Sequence, residues 1–328
     1  MPDESFTCPR CFFTAPARAD LRFCPRCGLS DAADAAADTS VLEITVGPRK
    51  FHVHDRIAIG SICTIYRCRF KADSKPIEGI FKIAREPLTN DLVANEAQIL
   101  RRLHAADTQN RFGPFLPIVE ESFAFGDDPA NPKRHANILR MHEEIHSPDE
   151  LYTLSEVRAQ YPTGLDTRNV AWIWRRLLSI VGFAHSQGVI HGAVLPMHVL
   201  IEPAAHKLLL IDWCCAVHES ENNEPLTIIA GGYLPWFKRD GATRRPPTNA
   251  IDIACAARCM IELLGGDPIR AEFPPTVEAG LQRHFERCLG NTTSLDSWKL
   301  LEDFDRLIEA LWGPRRFQVL TMPPKRGS

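Results

Sequence analysis

The sequence predicts an α+β protein: a small cysteine-rich β module, then a bilobal domain with a β-rich first half and a helical second half. Three observations carry this reading. Cysteines are paired within the first thirty residues, apolar residues alternate from about 41 to 145, and past Ser147 they recur at helical spacing.

The paired cysteines are Cys8-Pro-Arg-Cys11 and Cys24-Pro-Arg-Cys27-Gly28. Two such knuckles bring four thiolates within tetrahedral reach of one ion, which suits zinc. So short a segment buries too little apolar surface to fold alone, so the metal must supply folding energy. All four ligands come from the protein, which makes the expected zinc structural. Arg10, Arg18, Arg22 and Arg26 are set against Asp3, Glu4 and Asp20, a mixture that favours a protein-docking or structural role over nucleic-acid binding. Residues 1–30 are therefore expected to be a zinc ribbon. Residues 31–40, DAADAAADTS, are small, acidic and of low complexity, as in a linker.

From Val41 the segments VLEITV, FHVHDRIAI, TIYRCRF and GIFKIA alternate or run apolar with β-branched residues, which predicts an antiparallel sheet. Asp91 to His104 places Leu92, Ala97, Leu100 and Leu103 on one helical stripe, with Thr89 or Asn90 as the cap. FLPIVEESFAF and HANILRM read as two further strands. VAWIWRRLLSIVGFAHSQG, NAIDIACAARCMIELLGG and two segments between Thr276 and Trp312 read as helices. The run after Trp312-Gly-Pro is strand-like and is expected to pack back on the second lobe, with PPKRGS as a disordered tail.

Composition narrows the function classes. With 45% apolar and 24% charged residues the chain has the make-up of a globular protein, and a net charge of −3 offers no general attraction to nucleic acid or an anionic membrane. MPDESFTCPRC opens acidic and polar, unlike a signal peptide, and no apolar run reaches the ~18 residues of a membrane span. A cytoplasmic location is expected. Outside the knuckles stand Cys63, Cys68, Cys214, Cys215, Cys255, Cys259 and Cys288. Their odd number and apolar surroundings read as small buried hydrophobes, not as a disulfide framework.

Over about residues 41 to 312 the order of elements, with short motifs inside them, resembles the protein-kinase superfamily. Ala58-Ile-Gly60-Ser-Ile-Cys63-Thr-Ile65-Tyr66 is similar to a glycine-rich loop of which only Gly60 remains. Lys82 in GIFKIA matches the strand lysine that pairs with nucleotide phosphates, and Glu96 matches its helix partner. Val189-Ile-His191-Gly-Ala193-Val-Leu195-Pro196-Met-His198 resembles a catalytic loop, and is equally similar to the His-Gly-Asp loop of the aminoglycoside-phosphotransferase branch. Ala193 stands at the catalytic aspartate, Leu195 at the lysine two residues on, and His198 at the metal-binding asparagine. Asp212 in LLLIDW keeps the metal-binding aspartate, followed by Trp213-Cys214 where Phe-Gly is usual. Gly231-Gly232-Tyr233-Leu234-Pro235 resembles the loop that seats a peptide substrate, and Asp252 the helix aspartate that buttresses the catalytic loop. The resemblance divides the chain into an N-lobe of about 41–145, a C-lobe of about 146–315 and a tail of 316–328.

The resemblance implies a protein that has lost efficient phosphotransfer. Losing a positioned base costs about 10²–10⁴ in rate, and imidazole suits hard Mg²⁺ less well than an amide oxygen. No catalytic residue is intact in the His191, Ala193 and His198 loop. Gly60, Lys82, Glu96 and Asp212 are the candidate nucleotide-binding residues, with Asp212 a candidate Mg²⁺ ligand beside ATP. Otherwise Lys82, Glu96 and Asp212 persist as an internal ion-pair set. The leading expectation is a pseudokinase presenting a surface to a protein partner. One alternative is a weakly active atypical serine/threonine kinase using Asp212 or Glu202 as base. Another is a nucleic-acid-associated adaptor using the ribbon with Arg239, Arg244 and Arg245.

Overall fold

The computed structural model describes residues 5–7, 14–16, 42–72, 74–126, 132–145, 150–226, 231–239, 245–289 and 295–325. The four knuckle cysteines and the linker lie outside the described residues. Two short strands, β1 (Ser5–Thr7) and β2 (Thr14–Pro16), pair antiparallel in the N-terminal segment. The chain divides into two compact units, Met1–Glu144 and Ile145–Ser328.

The first unit is built on a six-stranded antiparallel sheet. Its strands are β3 (Leu42–Val46), β4 (Arg49–Ile59), β5 (Cys63–Ala72), β6 (Lys75–Ala84), β7 (Ile118–Phe125) and β8 (Arg134–Arg140), ordered β3-β4-β5-β6-β8-β7. Each expected strand is present. Alternation sends Ile44, Phe51, Val53, Cys68, Phe70, Phe81 and Ile83 into one core. At Gly79 an added Cβ would lie 2.7 Å from the Leu139 carbonyl and 2.8 Å from the Phe70 ring, so only glycine fits that crossing of β6 and β8.

Helix α1 (Asn90–Ala106) packs on β8, β7 and β6, burying Val93, Glu96, Ala97, Ile99, Leu100 and Leu103. Two details differ from expectation. Val93, not Leu92, enters the core, because the stripe is centred one residue later. Thr89 precedes the helix without capping it: the single proton of its hydroxyl is shared between the Glu86 and Ile62 carbonyls, 2.9 and 3.2 Å away.

The second unit contains α2 (Leu154–Gln160), α3 (Thr167–Ser186), α4 (Leu234–Arg239), α5 (Asn249–Leu263), α6 (Ala279–Cys288) and α7 (Ser297–Trp312). Helix α3 is central, packing on α5 and α7. Short strands β9 (Tyr152–Thr153), β10 (Val189–Ile190), β11 (Val199–Glu202), β12 (Lys207–Leu210) and β13 (Val217–His218) frame the loops, with β11 between β12 and β9 and β10 beside β13. Cys63, Cys68, Cys214, Cys255, Cys259 and Cys288 are buried and Cys215 is half-buried, in keeping with small hydrophobes.

The C-terminal run is corrected in one respect and supported in another. Residues 313–325 form no strand, but they do pack back as an irregular strap. Its backbone carbonyls are held by side chains: His206 with Gln318, Asn169 with Val319, Tyr161 with Thr321 and Tyr152 with Pro323. Of the expected disordered tail, residues 323–325 are ordered, Lys325 pairing with Glu156 at 3.3 Å and lying over the Tyr152 ring, and residues 326–328 lie outside the described residues. Leu320 is the strap's buried anchor.

Candidate functional site

In the first unit, β6 and β8 run antiparallel with Lys82 directly opposite Asn137. Both are buried, as is Glu96 on the inner stripe of α1. Lys82 Nζ reaches Glu96 Oε1 at 2.8 Å, and Asn137 Nδ2 donates to Glu96 Oε2 at 3.2 Å and to the Val93 carbonyl at 2.7 Å. Phe81 and Ile83 enter the sheet core while Lys82, between them, turns toward α1. Asn137 was missed by sequence reasoning. Its signal was a polar residue inside the apolar run HANILR. Gly60 turns from β4 into β5, its N–H donating to the Cys63 carbonyl at 2.8 Å and its carbonyl accepting from Arg85 at 3.1 Å. That amide is therefore spent within the turn.

In the second unit, β10 delivers the chain into the loop that begins at His191. The β11–β12 hairpin pairs Val199 with Leu210, which brings His198 beside Ile211 and Asp212. The Ile211 N–H donates to the His198 carbonyl at 2.9 Å. His198 Nε2 lies 2.9 Å from Asp212 Oδ2, and its Nδ1 lies 2.8 Å from the Ala193 carbonyl. Both partners are hydrogen-bond acceptors. Asp212 itself stands in the left-handed region at φ 64°, a conformation that aspartate tolerates better than most residues.

Asp252, in the first turn of α5, ties this loop down. Its carboxylate accepts from the His191 N–H at 2.7 Å, the Gly192 N–H at 2.8 Å and His185 Nε2 at 3.0 Å. Gly192 has φ 73°, and a Cβ there would lie 2.9 Å from the Cys215 carbonyl, so the bend needs glycine. The His191 ring faces the Ile211 carbonyl with Nε2 at 3.1 Å and accepts the Ala193 N–H at Nδ1 at 3.2 Å, which fixes the neutral Nε2–H form. Burial pushes its pKa down to about 4, with Asp252 partly opposing the shift. Burial also lowers His284, to about 4, where the Trp174 indole donates to its Nε2.

These two histidines give a pH prediction. Above pH 6.5 they are neutral in both folded and unfolded chains. As pH falls below that, the unfolded chain takes up protons that the folded one refuses, so stability is lost progressively until about pH 4. If fully realised, each contributes on the order of 3 kcal/mol to the loss. The unfolding midpoint should fall across this window; a midpoint unchanged down to pH 4.5 would contradict the burial of both rings.

Magnesium prefers near-octahedral oxygen coordination. Within the second unit the candidate donors are Asp212, one of whose oxygens is engaged by His198, and the His198 imidazole. One carboxylate with one oxygen engaged leaves a Mg²⁺ ion there dependent on further oxygen ligands from water or phosphate. Glu202 is also poorly placed as a base, being buried with Lys207 Nζ 3.7 Å away. Of the basic cluster, Arg245 is exposed, while the Arg239 side chain and Arg244 lie outside the described residues. Among the described residues no helix is long and apolar enough to cross a membrane.

No protein-family model matches the chain. It is 28% identical over 166 residues to human cyclin-dependent kinase 15, spanning 48% of this chain and 36% of that protein. It is 23% identical over 198 residues to a probable casein kinase II subunit alpha homolog of Encephalitozoon cuniculi, spanning 58% of this chain and 51% of that one. The chain thus spans about half or less of the length of these curated relatives. The crystal structure of the BubR1 kinase domain superposes with a TM-score of 0.59 at 16% identity, covering 82% of this chain and 83% of that one. Fold and partial sequence similarity agree: the chain carries a protein-kinase-like domain.

Proposed function

We propose that this chain is a pseudokinase, a regulatory or scaffolding module whose degenerate kinase-like domain no longer transfers phosphate efficiently. The observation that carries this is the filled loop. Ala193 offers a methyl group where transfer needs a carboxylate, and His198 occupies Asp212 on one side and the Ala193 carbonyl on the other. Phosphoryl transfer relies on positioned charge and metal, and an imidazole bonded to Asp212 opposes metal entry. Cys8, Cys11, Cys24 and Cys27 would hold a structural zinc in the ribbon, and a protein partner is the expected target of the whole.

ATP binding at Lys82, Glu96 and Asp212, with Gly60 supplying a turn free of a side chain and not an amide donor, is part of the proposal, without a requirement for Mg²⁺. The test is a phosphotransfer assay with terminally labelled ATP, run alongside thermal-shift titrations with and without Mg²⁺. Wild type should transfer nothing above background. Any ATP-induced rise in midpoint should be equal in Mg²⁺ and in chelator, and should become Mg²⁺-dependent in His198→Asn. Transfer by wild type that Asp212→Ala abolishes would overturn the reading, and the absence of a shift would remove the nucleotide from it. Metal analysis finding no zinc would remove the ribbon.

A further inference from the structure

We propose that the concave surface between α3, α7 and the C-terminal strap docks an acidic peptide segment of a partner protein. It goes beyond the kinase-like loop, shares no residue with it, and stands whether or not ATP binds.

The cavity has a volume of about 540 Å³, within the ~300–1,000 Å³ range of ligand-sized clefts. Four arginines line it: Arg168 and Arg175 from α3, Arg315 and Arg316 from the strap. Their charge is only partly matched. Asp305 on α7 engages Arg175 through both oxygens, at 2.5 and 3.1 Å, and Arg315 at 2.6 Å. Glu278 accepts the indole N–H of Trp312 at 2.7 Å, while Arg168 lies over that indole ring, 5.4 Å from its centroid. Arg175 and Arg315 share the one carboxylate of Asp305 and Arg168 stacks on an indole, so the cleft carries positive charge that these contacts do not match.

The remaining wall is aromatic. Trp172, His206 and Phe317 stack in sequence, with centroids 4.3 and 4.0 Å apart and planes within 12°. This stack fastens the strap to α3 but leaves Phe317 63% exposed, and nearby Val319 is 76% exposed. Exposed apolar side chains beside a basic cleft decide the class of ligand. A small polyanion would use the guanidiniums and leave Phe317 and Val319 in water. A segment alternating carboxylates with apolar side chains uses both, and arginine and aromatic residues are the types that dominate interface energetics. The strap is held by four side chains through its carbonyls, so little ordering cost remains for binding.

The experiment is a fluorescence-anisotropy titration of the full chain with a labelled peptide alternating glutamate with leucine and phenylalanine. Saturable binding is expected, weakened about tenfold or more in Arg316→Glu and measurably in Phe317→Ser. Both substitutions are at exposed positions; Arg316→Glu should leave the thermal midpoint unchanged, while Phe317→Ser, which loses its stacking on His206, should lower it slightly and is titrated at a temperature where the chain is folded. The same peptide with lysine for glutamate should not bind. Competition arms use inorganic pyrophosphate, anionic phosphatidylserine vesicles and single-stranded RNA. The proposal is overturned if the acidic peptide fails to saturate, if either variant binds as wild type, or if a competitor binds more tightly with no dependence on Phe317.

Discussion

Lys82→Ala should cost about 3–5 kcal/mol of stability, the usual penalty for removing one partner of a buried ion pair. The carboxylate it leaves is the reason. Glu96 is fully buried, its Oε1 meets Lys82 Nζ at 2.8 Å, and the amide of Asn137 cannot neutralise a charge. Replacing both partners, as in Lys82→Met with Glu96→Leu, should recover most of the loss, since well-packed apolar pairs often match a buried ion pair. Urea unfolding of the two single variants and the double variant measures this. A Lys82→Ala chain within 1 kcal/mol of wild type would show that water or another cation reaches Glu96. The result also bears on nucleotide binding: a lower midpoint in Lys82→Ala is structural, so an ATP response must be measured against that variant's own baseline.

Asp252→Ala should be similarly costly, about 3–5 kcal/mol, but with a local signature. Two backbone amides and His185 lose their acceptor together, and none of the three can turn to water without unpicking the bend at Gly192. Asp252→Asn keeps one acceptor oxygen and should fall between the two. Hydrogen exchange at the His191 and Gly192 amides is the distinguishing measurement. Loss of protection there, before global unfolding, is expected, whereas unchanged protection would mean that other groups hold the loop.

Much of this architecture was legible in the sequence, because one-sided burial writes period-two and 3.6-residue patterns directly into residue order. All six strands of the first sheet and the four long helices of the second unit follow that logic. Short α2 was also written there, as the Thr153-x-x-Glu156 capping box, in which the Thr153 hydroxyl accepts the Glu156 N–H and the Glu156 carboxylate accepts the Thr153 N–H. It passed unnoticed because seven residues give too little periodicity to read. The pairing of Asp252 with the loop followed from resemblance alone, since a first-turn aspartate is equally at home facing a helix dipole. Asp212 was singled out as a candidate metal ligand and His198 as the replacement of a metal-binding asparagine, but their bond to one another depends on the register of the β11–β12 hairpin. That register is set by a turn at Pro203–Ala205 and a left-handed His206 at φ 51°, details that residue types alone do not announce.

The strap was the least legible element, and the reason has an evolutionary consequence. Its four anchors grip main-chain carbonyls, which every residue type provides. Attachment is thus written largely in Tyr152, Tyr161, Asn169 and His206, with Arg315, Phe317, Leu320 and Lys325 adding side-chain contacts of their own. The remaining positions of such a segment can drift in sequence without coming loose, so part of the chemistry displayed on this face can be rewritten one residue at a time while the fold beneath it stays the same.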